Sequence, residues 1–222
     1  MATTATVPTS IKVIYFNVPG RAETTRMMLA YGEIPFEDER IAFKDFPQLR
    51  ENWPYTQLPV MEVDGEIIAQ SGAMERYVAK LANLYPSDPL AAARVDQLTG
   101  AIYDVMNKAV EIHMSKNKKY TDERNAEVKA ERIEDFNENV APQLVGGMEK
   151  LVRGKFMLGD ETPTYADIFF YCMMKHGVYE KIPGFTWEPY PKLKKVYENV
   201  ETLPTIANYL SQQEARKKQR TA

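Results

Sequence analysis

The sequence predicts two halves of different class, an α/β half over residues 11–84 and an all-helical half over residues 91–222. Three observations carry this. Short β-rich runs alternate with helical patterns before residue 84. The stretch Tyr85-Pro-Ser-Asp-Pro-Leu90 interrupts both periodicities with two prolines and reads as a linker. After it, every long segment has helical spacing.

Ile11 to Phe16 is short and β-rich, which predicts a strand. Asn17-Val-Pro-Gly20 reads as a turn. Arg21 to Gly32 has helical spacing, with apolar Met27, Met28, Leu29 and Tyr31 and with Gly32 suited to a left-handed cap. Pro35 to Ile41 is a second strand candidate. Ala42 to Tyr55 is an aromatic-rich connection with room for a short helix near Asp45. Val60 to Val63 is an apolar run, and Asp64-Gly65 is a hairpin turn signal because the turn needs positive φ. Glu66 to Ala69 returns as its partner. Pro59 stands where a missing N–H is tolerated, at a corner suited to a cis bond. Ser71 reads as the N-cap of a helix running to about Leu84. This order is that of a thioredoxin-like half. The Cys-x-x-Cys of a dithiol redox protein is missing; Tyr15 and Asn17 occupy its neighbourhood.

In the second half, Val95, Leu98, Ile102, Met106 and Ala109 form one apolar stripe. Ile133, Phe136, Val140, Leu144, Met148 and Leu151 form another, interrupted by Pro142 and Gly146-Gly147, which predicts a bend or break. Thr164-Tyr-Ala-Asp167 resembles a capping box with Asp in place of Glu or Gln. Ile168 to Met174 is apolar on every side and reads as a buried central helix. Pro191 fits the first turn of a further helix, Ile206 to Leu210 a last packed turn, and Glu214 to Arg220 a solvated, mostly basic tail.

Composition narrows the function. The chain has 222 residues, 44% of them apolar, and a net charge of −3, so nothing draws it as a whole to nucleic acid or an anionic membrane. No apolar run approaches the roughly 20 residues of a membrane span. Residues 1–10 read as a flexible leader without the basic start and apolar centre of a signal peptide. The lone Cys172 excludes an internal disulfide and favours a reducing, cytoplasmic setting. It reads as a buried small apolar group. His113 and His176 do not make a metal site by themselves and suit hydrogen-bonded or surface roles.

The chemistry converges on the run Gln57-Leu-Pro-Val-Met-Glu-Val-Asp-Gly-Glu-Ile-Ile-Ala-Gln-Ser-Gly72. It makes a pocket edge of free main chain beside a helix N-terminus, suited to peptide-like anionic ligands. This run resembles the glutathione-binding strand–turn–helix of the glutathione S-transferases. Lys12-Val-Ile-Tyr-Phe-Asn-Val-Pro-Gly-Arg-Ala-Glu23 resembles the first strand and helix start of their sigma class. A looser likeness runs from about Ile11 to Leu210.

The resemblance implies a thioredoxin-like N-terminal domain, an all-α C-terminal domain and a homodimer that takes glutathione as co-substrate with no metal or prosthetic group. By itself Tyr15 is a half-buried strand tyrosine; the resemblance makes it the catalytic hydroxyl, with Arg21 beside it. Gln70 and Ser71 match the pair that holds the γ-glutamyl end. Leu58, before Pro59, matches the residue whose main chain pairs with the cysteinyl backbone. Phe46, Arg50 and Gln57 fall in the glutathione site where the family carries Trp, Lys and Lys, so its glycyl end has less positive charge. Asp104 reads as solvent-exposed, and by resemblance reaches glutathione bound to the other subunit. Gly100 and Tyr103 stand where metal-responsive prostaglandin synthases carry acids, so no metal is expected. Val18, Tyr103, Met106, Asn107, Glu111 and Phe169 are the candidates for a hydrophobic electrophile's site between the halves; Met106 and Phe169 also fit core packing. The reading is conjugation. A crystallin-like or ligand-binding relative and a glutathione-dependent isomerase stand as alternatives.

Overall fold

The computed structural model describes residues 8–159 and 161–221. They divide into two compact units, one of the described residues up to Ser87 with those from Glu201 on, and one of those from Asp88 to Val200.

In the first unit, β1 (Ile11–Phe16), α1 (Glu23–Tyr31) and β2 (Glu37–Ile41) precede α2 (Phe46–Leu49), the hairpin β3 (Val60–Val63) and β4 (Glu66–Ala69), and α3 (Ser71–Leu81). The sheet order is β2-β1-β3-β4, with β1 parallel to β2 and antiparallel to β3. Val13, Met27, Met28, Leu29, Met61, Met74 and Val78 are fully buried, each such side chain contributing about 1.5–3 kcal/mol.

Local signals and structure differ at three places in this unit. The left-handed residue after α1 is Glu33 (φ 52°), not Gly32 (φ −77°). Gly32 is required by contact instead, since a Cβ there would stand 2.9 Å from Ala82 Cβ. Gln70 (φ 72°) caps α3, and Ser71 is its first helical residue. The expected leader ends in attached chain: Asp64 Oδ1 accepts from Thr9 N (2.9 Å), Thr9 Oγ1 (2.6 Å) and Ser10 N (2.8 Å). Residues 1–7 of that leader lie outside the described residues.

The second unit holds α4 (Pro89–His113), α5 (Asp122–Asp135), α6 (Gly146–Leu151), α7 (Tyr165–Met173) and α8 (Pro191–Glu201). α4 begins two residues before the predicted helical start, because Asp88 Oδ1 accepts from Ala91 N at 2.8 Å and Pro89 takes the first turn. Val95, Leu98, Ile102 and Ala109 are buried as the stripe predicts, with Val105 rather than Met106 completing it. Pro142 does not break the chain: residues 136–145 form a π-helical stretch between α5 and α6, whose wider ladder accommodates a residue without an N–H.

All nine residues of α7 are buried. Asp167 completes the capping box, accepting from Thr164 N (2.7 Å) and Thr164 Oγ1 (2.8 Å), and also takes Met157 N (2.7 Å). Burial pushes its carboxyl above the ordinary range, and the three donors pull against that. Cys172 is buried in α7, and His113 Nε2 lies 2.8 Å from Gly177 O.

The last helix, α9 (Pro204–Thr221), belongs to the first unit. The segment read as a solvated tail is therefore helical, and its Arg216 pairs with Asp38 at 3.4 Å.

Candidate functional site

β1 ends beside the turn that starts α1, which places Tyr15 against Gly20 and Arg21. The Tyr15 side chain is almost entirely buried. Its hydroxyl oxygen accepts from Arg21 N at 3.4 Å, so its own proton stays available to a ligand. The Arg26 guanidinium carbon lies 5.9 Å from the ring centroid. Gly20 has φ +47°, and a Cβ there would sit 2.7 Å from the Tyr15 hydroxyl.

A cleft of about 380 Å³ opens next to this corner, lined by Arg21, Pro54, Tyr55, Gln57, Leu58, Pro59, Ala69, Gln70 and Ser71. The Leu58–Pro59 peptide is cis. Strand pairing begins with Val60 opposite Ala69, so Leu58 lies beyond the last ladder pair. The N-terminus of the 11-residue helix α3 contributes Ser71, and its dipole together with the Arg21 charge makes that end receptive to an anion.

Six of the predicted residues thus share one cleft: Arg21, Gln57, Leu58, Pro59, Gln70 and Ser71, with Tyr15 bonded to Arg21. Phe46 and Arg50 do not line it. The Phe46 ring stacks on Trp53 (6.4 Å, 6°) and meets Phe16 edge-on at 5.1 Å. Arg50 is half exposed and pairs with Glu51 at 3.0 Å. Pro54, Tyr55 and Ala69 line the cleft and were not foreseen. Tyr55 is exposed at φ 59°, in a connection whose only sequence signal is its aromatic content.

Val18, on the first unit, is exposed. In the second unit, Asp104, Asn107 and Glu111 are exposed on α4 and Met106 is half-buried. Tyr103 meets Phe169 edge-on at 4.6 Å. Phe169 is buried, in keeping with its packing role. Among the described residues, no group of three or more His, Cys, Asp or Glu is placed to hold a metal. None of the described helices is long and apolar enough to cross a membrane.

A four-stranded mixed sheet with α1 and α3 defines a thioredoxin-like unit, and the chain's lone cysteine, Cys172, lies outside it. Known proteins place it further. A family model described as Glutathione S-transferase, N-terminal domain, matches residues 11–80, and one described as Glutathione S-transferase, C-terminal domain, matches residues 103–213. The chain belongs to the glutathione S-transferase family. It is 31% identical to the hematopoietic prostaglandin D synthase of Gallus gallus, over 90% of this chain and 94% of that protein. It is 29% identical to a glutathione S-transferase of Anopheles gambiae, over 90% of this chain and 95% of that one. The sigma-class glutathione S-transferase of Fasciola hepatica shares the fold, with a TM-score of 0.79 at 23% identity over 91% and 96% of the two chains.

Proposed function

We propose that this protein conjugates glutathione to hydrophobic electrophiles, with Tyr15 donating its hydroxyl hydrogen bond to the glutathione thiolate. The observation that carries the reading is the Tyr15 hydroxyl, which accepts from Arg21 N beside a cleft with a helix N-terminus. A free cysteine-type thiol has a pKa of about 8.5, so little thiolate exists at neutral pH. Lowering it by about two units needs about 2.7 kcal/mol of differential stabilisation. One charge-assisted hydrogen bond supplies about 1.5–3 kcal/mol, and the Arg21 charge and the α1 start add to it. The thiolate then attacks an electrophilic carbon directly, by addition or by aromatic substitution with loss of a leaving group. No covalent enzyme intermediate forms, and no metal or prosthetic group takes part.

Gln70 and Ser71 hold the γ-glutamyl end, Leu58 offers its main chain to the cysteinyl backbone, and Gln57 borders the glycyl end. Phe46 and Arg50 act there indirectly, Phe46 by shaping the Trp53 loop and Arg50 only once it leaves Glu51. The acceptor is held by Val18, Tyr103, Met106, Asn107 and Glu111, with Phe169 packed behind Tyr103. The working species is a cytoplasmic homodimer in which Asp104 reaches the partner's glutathione.

The test is conjugation of glutathione to 1-chloro-2,4-dinitrobenzene across a pH series. Tyr15→Phe is expected to lose about 10- to 100-fold in kcat/KM at neutral pH, the equivalent of one charge-assisted hydrogen bond, and to recover as pH rises. Equal, slow rates in both proteins, with retention on immobilised glutathione, would remove Tyr15 from the chemistry. The likeness to a prostaglandin D synthase favours a second reading, glutathione-dependent isomerisation. Product analysis separates the two, since an isomerase regenerates glutathione and leaves no conjugate.

A further inference from the structure

We propose that α9 is a strap for the catalytic corner, in which Tyr209, acting through Glu23 and Arg26, positions the loop that carries Tyr15 and Arg21. The proposal rests on the reading of Tyr15 as the thiolate's donor.

Arg26 is a fully buried guanidinium one turn into α1. Its Nη1 donates to Val18 O (3.1 Å) and Pro19 O (3.3 Å), two carbonyls of the turn between Tyr15 and Arg21. The same nitrogen lies 3.3 Å from Glu23 Oε2, and Nε donates to Asp38 Oδ1 at 2.8 Å. Nη2 makes no hydrogen bond among the described residues, so Arg26 grips the turn through one nitrogen. That turn ends in Gly20, which has no space for a side chain against the Tyr15 hydroxyl. A shift of the turn is therefore passed straight to the phenol.

One buried cation faces two carboxylates here, an arrangement that is stable only if the spare oxygens find further partners. α9 provides them. Tyr209 donates to Glu23 Oε1 at 3.0 Å, both groups being buried. Arg216 meets Asp38 Oδ2 at 3.4 Å, and Arg40, bonded to that same oxygen at 2.8 Å, donates to Gln213 Oε1 at 3.0 Å. Positions 209, 213 and 216 recur at helical spacing on one face of α9. Burial and the Glu23 carboxylate hold the Tyr209 phenol far above its ordinary range, so it remains a donor. Tyr209 and Arg216 act on Tyr15 only through Glu23, Asp38 and Arg26, whose guanidinium lies over the Tyr15 ring; they are positioning residues.

The experiment uses the full chain with glutathione and 1-chloro-2,4-dinitrobenzene. It follows the ultraviolet absorbance of bound thiolate and kcat/KM against pH in Tyr209→Phe and in Arg216→Ala, whose exposed position keeps it foldable if the first variant is not. The expected result for Tyr209→Phe is a thiol titration moved to higher pH. Its kcat/KM falls about fivefold at neutral pH, as for loss of one hydrogen bond, with recovery at high pH and little change in KM for glutathione. Arg216→Ala should move the same way by about twofold, as an exposed ion pair does. Lower melting temperatures with pH profiles superimposable on wild type would overturn the proposal and leave α9 a structural role only. A wild type that forms no bound thiolate would overturn the conjugation reading and this proposal with it, a result distinguishable from the first.

Discussion

Gly20 is the residue on which the tyrosine's position depends. An L side chain at φ +47° costs about 1–2 kcal/mol, and its Cβ would displace the phenol. On the proposed reading of Tyr15 and the cleft, Gly20→Ala is expected to cut kcat about tenfold or more, as a misplaced donor does, with a smaller change in KM for glutathione. Equal kcat in the two proteins, measured beside their melting temperatures, would show that Tyr15 tolerates the displacement. Asp167 has the same importance for the helical unit. Asp167→Ala leaves Met157 N and Thr164 N without their acceptor, and calorimetry should show a loss of about 2–4 kcal/mol with the cleft of the first unit intact. The sequence shows the cap through its Thr-x-x-Asp spacing. It cannot show Met157, ten residues away, because that bond exists only once α7 is packed.

At the scale of elements, the β3–β4 hairpin does two jobs. Its inner end puts Leu58 and Pro59 at the cleft, and its turn holds Thr9 and Ser10 through Asp64. Those donors hold the Asp64 carboxyl below its ordinary 3.8. A depressed folded value stabilises the tie above 3.8 and loses it as pH falls through the folded value. Protection of the Thr9 and Ser10 amides, the slowing of their exchange relative to an unstructured chain at the same pH, should therefore be high near neutrality and fall on acidification. In Asp64→Asn it should be low at both pH values. Wild-type protection that does not change with pH would mean the tie does not depend on the carboxylate. The hairpin and the first strand are legible because Asp-Gly and alternating apolar residues act locally. The cap of α3 is not, since Ser71 has the better capping side chain and Gln70 takes the cap by its backbone angles.

For the whole molecule, the chain returns in its last 22 residues to the unit it began. Removing α9 is thus expected to destabilise the sheet unit and not the helical one. Assembly is a separate question. A homodimer predicts a mass about twice the 25.4 kDa chain by light scattering. Asp104→Ala is then expected to raise KM for glutathione about three- to tenfold, the cost of one charge-assisted contact, with mass and kcat little changed. A monomeric mass with full activity would remove the shared site.

The sequence by itself determined the class of each half, the hairpin, the buried α7 and the residues that gather at the cleft. The first three depend on periodicity and turn chemistry, which act over a few neighbours; the cleft residues were legible only through the likeness of two short runs to a known family. Only the tertiary structure decided that Arg50 turns to Glu51, that Phe46 packs on Trp53 and that Tyr55 lines the cleft. It alone decided that the packed turn at Ile206 to Leu210 and the basic tail beyond it are one helix, whose Tyr209 and Arg216 reach Glu23 and Asp38 around the buried Arg26. Polar side chains carry no periodic apolar signal, and the partners of a buried charge are set by elements that meet only when the chain has folded.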